Sequence, residues 1–321
     1  MSTMFDPIKA MLTPDMFNAV GQRLGIPGEM VQKGAEIAIP LLTRGVSMAA
    51  DTPEGQVQIA TVVQEADTGL LGNLSGFLGA FGGDTGSNLL TQLFGDESRV
   101  VSNAIKEATG FDIAPIVGMV GPLLLGFLKS TAQKEGMDTN ALIKKLKSEA
   151  RSVERRKGDE AVLVNDVIGK VSQVRELKAR FSPTEWTLVR NAPMAATSLV
   201  TAASPSSASK TAEEVAAAMA AVVDSAKEAP YTSLIAALYQ GGVDDLTGAG
   251  MDDPMAIVKQ AAALVQQHAP DESRAYNQLL VNAAYAAAEA VKEGGFLGIG
   301  GKKVTAEEQA VIDSLTAALG L

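Results

Sequence analysis

The sequence predicts an all-α protein, and three observations carry that expectation. Hydrophobic residues make up 46% of the 321-residue chain while aromatics are only 4%. The apolar content is therefore Ala, Val, Leu, Ile and Met, which suits close-packed helices better than a β-sandwich. Runs that alternate β-branched with polar residues are missing, and helix start and stop signals recur along the chain. The length suggests two domains, each able to build its own core. The expected arrangement is two multi-helical bundles, residues 1–137 and 182–321, joined by a charged amphipathic helical linker at 138–181.

Taken in order, the first helix signal is TPDMFNAVGQRLG. Thr13 serves as N-cap, Pro14 takes the first helical position, and Gly25 is the stop. The stretch to Gly55 and the later stretch Asn103–Gly136 share an ordered pattern. Asn18-Ala19-Val20, Gly25, Pro40-Leu41-Leu42 and Gly55 answer to Asn103-Ala104-Ile105, Gly110, Pro122-Leu123-Leu124 and Gly136. Three residues must be dropped between the Gly and the Pro of the second copy. The pattern predicts a tandem repeat of two helical hairpins with a period of roughly 85 residues.

The centre of the second copy, Ile113 to Leu128, runs sixteen residues without a charge. Sixteen is short of the roughly 20 needed to cross a bilayer. Pro115, Gly118, Gly121, Pro122 and Gly126 are expected to break it further, so it reads as a buried helical hairpin. Between the copies lies Thr68–Gly83, also uncharged, with glycines at 69, 72, 76, 79, 82 and 83. Glycines three and four apart let another backbone approach closely, and the same text also suits a flexible linker. Leu70, Leu71, Leu74, Phe77, Leu78 and Phe81 need cover there. Leu70, Leu74, Phe77, Leu78 and Phe81 form the candidate association surface.

At this point the text LLGNLSGFLGAFGG, the turn Gln92-Leu93-Phe94-Gly95 and the apolar helix Pro122–Gly126 resemble the YidB-like family of bacterial domains of unknown function. The resemblance covers about residues 15–150 and implies a multi-helical bundle. It implies no catalytic residue and no activity.

Asp138-Thr139-Asn140 opens a charged helix that stops at Gly158. Lys144, Lys145, Lys147, Arg151, Arg155 and Arg156 form a candidate basic patch, continued by Lys157, that suits phosphates or an anionic membrane. The plainer reading is a solvated linker helix laced with Glu149 and Glu154, and no aromatic lies among the cations to stack on bases. The next helix carries Val164, Val167, Val171, Val174 and Phe181 at 3-4 spacing, enough for an amphipathic helix with one partner.

Ser182-Pro183-Thr184-Glu185 is a strong helix start: Ser as N-cap, Pro next, and Glu completing a capping box. Pro193 is expected to kink or split that helix. Further helices are expected at about 212–227, 232–239, 254–268, 273–293 and 306–319, with Ala-dominated faces that permit close packing. SPTEW at 182–186, together with EAVKEGGFLGIGGKKVTAEE at 289–308, resembles a family of uncharacterised bacterial helical domains. That family's Ala-Asp-Pro-Ser-Gly-like element departs here at Ala203-Ser204-Pro205-Ser206. This second resemblance covers about 180–321 and again implies fold and kinship only.

The motifs that invite chemistry fall short of it. GGFLGIGGKKV lacks the first Gly of a phosphate loop at Phe296 and has Lys303 where a Ser or Thr would hold magnesium. Its glycines are expected to form a tight helix connection, with Phe296, Leu297 and Ile299 plugging the core and Thr305 and Glu308 capping the last helix. His268 is the sole histidine and sits near a helix end, and one His leaves no multi-histidine metal site. Asp244, Asp245, Asp252 and Asp253 lack the alternation and terminal Glu of a calcium loop, so a solvated turn with Asp253 opening the next helix is expected.

Net charge is −10 and unevenly spread: −7 over residues 1–128, +5 over 129–180 and −8 over 181–321. That balance argues against general nucleic-acid binding. With no cysteine, disulfide and thiol chemistry are excluded, and the N-terminus has no basic region or long apolar core of a signal peptide. The sequence therefore predicts a cytoplasmic, non-enzymatic scaffold, without cofactor, acting as a homo-oligomer or through a protein partner. A peripheral membrane protein is the alternative, using 68–83 or 113–128 as contact and the basic helix for anionic lipid. An enzyme built on carboxylates alone stands further off.

Overall fold

The computed structural model describes residues 4–71, 84–204, 207–239, 241–246, 252–291 and 304–321. Its described residues are α-helical, with short 3-10 turns and no strand. The chain divides into two compact units, 1–171 and 172–321, and the helices are numbered here in chain order.

The first unit contains α1 (Asp6–Met11), α2 (Pro14–Leu24), α3 (Gly28–Ala49), α4 (Pro53–Glu65), α5 (Asp84–Phe94), α6 (Ser98–Thr109), α7 (Ala114–Glu135) and α8 (Thr139–Glu154). The first part of α9 (Asp159–Ala179) also lies in it. Helices α3 and α7 touch each other and carry the rest. The helices α2, α5 and α8 lie on α3, while α4, α5 and a 3-10 turn at Thr68–Leu71 lie on α7. Residues 138–171 of the expected linker thus belong to the first unit, where Leu142, Ile143, Leu146, Ala150 and Val153 of α8 are buried.

The expected starts and stops appear with their chemistry. The Thr13 hydroxyl accepts from the Met16 amide, and the Asp138 carboxylate accepts from the Ala141 amide at 2.8 Å. Gly25 and Gly110 end α2 and α6 at φ 69° and 80°, a left-handed region that costs other residues about 1–2 kcal/mol. One expectation is corrected. The glycines and prolines of 113–128 do not break it, and α7 runs unbroken for 22 residues through Gly118, Gly121, Pro122 and Gly126. Small residues here serve close contact instead of interruption. Among the described residues α7 is the one helix long and apolar enough to cross a membrane, with mean hydropathy 1.4, yet 61% of that stretch is buried within the protein.

Glycine explains how other helices come so near. A Cβ added at Gly86 of α5 would stand 1.7 Å from the Ala114 carbonyl oxygen at the start of α7. One added at Gly34 of α3 would meet the Ile116 side chain at 2.1 Å, and at Gly45 the Phe94 ring at 2.7 Å.

The second unit holds the end of α9, then α10 (Pro183–Ala203), α11 (Ala208–Glu228), α12 (Leu234–Tyr239), α13 (Pro254–His268), α14 (Ser273–Ala290) and α15 (Ala306–Ala318). Helix α10 is its hub, touching α11, α13, α14 and α15, and α11 lies along α14. Alanines 192, 195 and 196 of α10 and 283, 284, 287 and 288 of α14 are buried in the core, which brings the backbones close. Both expected capping boxes are present, Ser182 with Glu185 and Thr305 with Glu308. Asn277 Nδ2 donates to the Leu319 carbonyl at 2.9 Å and secures the far end of α15. The expected plug of Phe296, Leu297 and Ile299 lies outside the described residues.

Helix α10 is not split at Pro193. Proline has no N–H to give the carbonyl one turn back, that of Val189. The buried Tyr276 hydroxyl of α14 donates to that carbonyl instead, at 2.7 Å. One residue on, Tyr239 donates to the Arg190 carbonyl at 3.0 Å. Burial raises the pKa of both phenols, most of all through lost solvation, so both stay protonated as donors.

Three substitutions test this packing. Gly86→Ala destabilises the first unit by about 1–3 kcal/mol, because backbone must move. Gly169→Ala stabilises by about 0.5–1 kcal/mol, since Gly169 lies inside α9 with nothing within 4 Å of an added Cβ. Urea unfolding of the pair checks the contrast. Tyr276→Phe strands the buried Val189 carbonyl at about 1–3 kcal/mol. In a Pro193→Ala background, where an N–H returns, that cost shrinks, and equal costs in both backgrounds would contradict the assignment.

Candidate functional site

The residues singled out in the sequence come together only in part. Of the candidate association surface, Leu70 is half-buried in the 3-10 turn that packs on α7, as is its neighbour Leu71. Leu74, Phe77, Leu78 and Phe81 lie outside the described residues, as does the question of helix or linker for 72–83. The turn is held tightly at its start. An added Cβ at Gly126 would stand 2.7 Å from the Asp67 carbonyl. Lys129 Nζ donates to the carbonyls of Gln64 and Ala66, at 2.7 and 2.8 Å, neutralising the negative end of α4.

Next to that turn an apolar cleft of about 460 Å³ opens between α3, α4, α5 and α7. Val46, Ile59, Val62, Leu93, Leu124 and Leu125 line it. On α4, Val57 stands 68% exposed.

The basic patch separates into three environments. Lys145 pairs with Glu135 and Lys147 with Asp51, each at 2.7 Å. Lys144, Arg151 and Arg155 are exposed, and their spacing of seven and four residues puts them on one stripe of α8. Arg156 is drawn inward, with Nη2 shielded from solvent and without a hydrogen-bond partner. The two glutamates of this helix serve other elements: Glu154 pairs with Arg44 of α3 at 3.2 Å, and Glu149 accepts from the Met4 amide at 3.3 Å.

In the second unit, SPTEW forms a corner with the end of α13. His268 Nε2 lies 3.5 Å from Glu185 Oε1, without hydrogen-bond geometry. The imidazole packs on Phe181 at 5.1 Å between ring centroids, and Phe181 meets Trp186 edge-on at 5.7 Å. Arg180 donates to the His268 carbonyl at 3.3 Å and helps close α13. The hydrogen bonds from Ser182, backbone first, hold the Glu185 carboxyl below its ordinary range, and His268 adds to the shift.

Two of the four aspartates have separate jobs. Asp245 is bound by the guanidinium of Arg190, whose hydrogen bonds hold its carboxyl below the ordinary range. Arg190 also donates to the Gly242 carbonyl at 2.9 Å and lies over the Tyr239 ring. Asp253 caps α13 through the Ala256 amide at 3.0 Å. Among the described residues, no group of three or more His, Asp or Glu is placed to hold a metal.

Sequence reasoning missed the inward turn of Arg156 and the cleft lined by Val62 and Leu125. Helix α8 ends at Glu154, ahead of the expected stop at Gly158, and Arg156 turns inward in the connection that follows.

A family model described as a bacterial protein of unknown function (DUF937) matches residues 6–131. That span covers α1 to most of α7 within the first unit. Neither curated proteins nor solved structures give a match to the chain.

A pH prediction attaches to the SPTEW corner. Because the folded pKa of Glu185 lies below the ordinary 4.5, its contribution is complete above that value and disappears as pH falls through the folded one. Fluorescence of Trp186, the sole tryptophan, will report loosening of the corner below about pH 4.5. Glu185→Gln flattens that dependence, and an unchanged acid profile would contradict it.

Proposed function

We propose that the protein is a non-enzymatic, cytoplasmic association module whose first unit binds a second copy of itself. The observation that carries this reading is apolar surface in excess of what the unit covers. Val57 is 68% exposed, Leu70 and Leu71 are half-buried, and the apolar cleft between α3, α4, α5 and α7 is lined by Val62 and Leu125. The uncharged text that follows adds Leu74, Phe77, Leu78 and Phe81 to the same demand for cover. Exposed apolar side chains beyond what a unit covers are a common basis for association.

We infer further that the first unit arose by duplication of a helical hairpin. The support is a matched pair of elements. An 11-residue α2 and a 12-residue α6 each end in a left-handed glycine. Each is followed by a 22-residue helix with an internal proline, Pro40 or Pro122. The YidB-like kinship of this unit and the kinship of residues 180–321 with a second helical family stand as proposals on their motifs.

A second reading, contact with an anionic membrane, draws on Lys144, Arg151 and Arg155, three exposed cations on one stripe. Partial neutralisation of such a stripe by lipid is strongly salt-dependent.

Light scattering across a dilution series tests the main reading. A mass above one chain that falls on dilution is expected, and the double variant Val57→Glu, Leu70→Glu raises the dissociation constant about tenfold or more. A single-chain mass at every concentration would overturn self-association. Co-flotation with vesicles of anionic lipid, abolished by Lys144→Glu with Arg151→Glu, would then favour the membrane.

A further inference from the structure

We propose that a second, polar cleft in the first unit binds a small zwitterion, a molecule with a carboxylate and an ammonium on an apolar body, such as a free α-amino acid. The cleft lies between α1, α2, α3 and the turn from α8 to α9 and is open to solvent. A smaller space of about 230 Å³ adjoins it, sharing Lys9, Ile39, Pro40 and Arg156 and adding Glu149.

Two side-chain atoms beside these spaces lack hydrogen-bond partners, and one helix carbonyl of the wall lacks its intrahelical donor. Arg156 Nη2 is shielded from solvent and has no acceptor. Glu149 Oε2 is shielded likewise and has no donor, although its other oxygen serves Met4. Pro40 sits inside α3 and offers no N–H to the carbonyl of Glu36, one turn back on the same wall. The second unit meets the same problem at Pro193 by placing a tyrosine hydroxyl on the freed carbonyl. Here the freed carbonyl belongs to a residue lining an open cleft.

The polarity selects the ligand. A stranded guanidinium donor asks for a carboxylate, and the two stranded acceptors ask for an N–H donor. Lys9 stands exposed at the mouth and strengthens the carboxylate side. A simple anion fits poorly, because the carboxylates of Glu36, Glu149 and Glu160 outnumber the cations Lys9 and Arg156 around the two spaces. A molecule of zero net charge with separated ends suits both sets. Leu12, Phe17 and Ile39 supply an apolar wall for its body.

Calorimetric titration of the full chain tests this, with L-leucine and L-phenylalanine set against octanoate, which lacks the ammonium, and 2-phenylethylamine, which lacks the carboxylate. The amino acids are expected to bind about tenfold or more tightly than either half-ligand, and Arg156→Gln to weaken them about tenfold or more. Pro40→Ala, which returns an N–H to the Glu36 carbonyl, is expected to weaken binding without lowering the melting temperature. No heat from either amino acid would mean that water alone bridges Arg156 and Glu149 and would overturn the proposal. So would octanoate binding as tightly as leucine, or affinity that Arg156→Gln leaves unchanged.

Discussion

Scarcity of large side chains is the constraint on which the rest of this structure depends. With 4% aromatics, the cores cannot be filled by bulk, so helices must approach until backbone meets backbone. The first unit achieves this with glycine at the points of contact, Gly86 against the start of α7 and Gly34 against Ile116. The second achieves it with alanine along α10 and α14. A glycine that costs helix propensity locally is repaid by dispersion contact along the two backbones it brings together.

The same economy explains the prolines. Each of α3, α7 and α10 is a central helix of its unit and each carries an internal proline, where a proline would ordinarily break a helix. Burial by neighbours on several sides holds these helices together. The missing N–H then becomes a local demand for a donor, and in α10 the donor is known: Tyr276. Tyr276 is thus a core residue whose hydroxyl matters as much as its ring.

What the sequence made legible was local chemistry. The caps at Thr13, Asp138, Ser182, Asp253 and Thr305 all stand where the text put them, because a cap is decided by three or four adjacent residues. The all-α class was legible for a similar reason. The unbroken run of α7 was not, since its glycines read as breakers until the neighbours that fill their places are known. The fate of Arg156 was hidden too. Nothing in a run of seven cations says which one faces inward, because that depends on α3 and α1, far away in sequence. The polar cleft joins three consecutive helices to a turn far along the chain, and so left no mark in any one of them.

The closing of α10 has a temporal side. Its hub position joins residues 183–203 to α14 and to α15 at 306–318, separations of roughly 80 to 120 residues that make loop closure slow. While a ribosome is still supplying those later segments, α10 has neither its apolar cover nor the hydroxyl its proline gap requires. The first unit joins central helices that are roughly as far apart in sequence, but all of its segments precede residue 172 and so leave the ribosome first. Vectorial synthesis therefore gives the chain a nascent state in which one half can be finished while the other exposes an alanine-rich, incompletely bonded helix, the stage at which chaperone protection counts most.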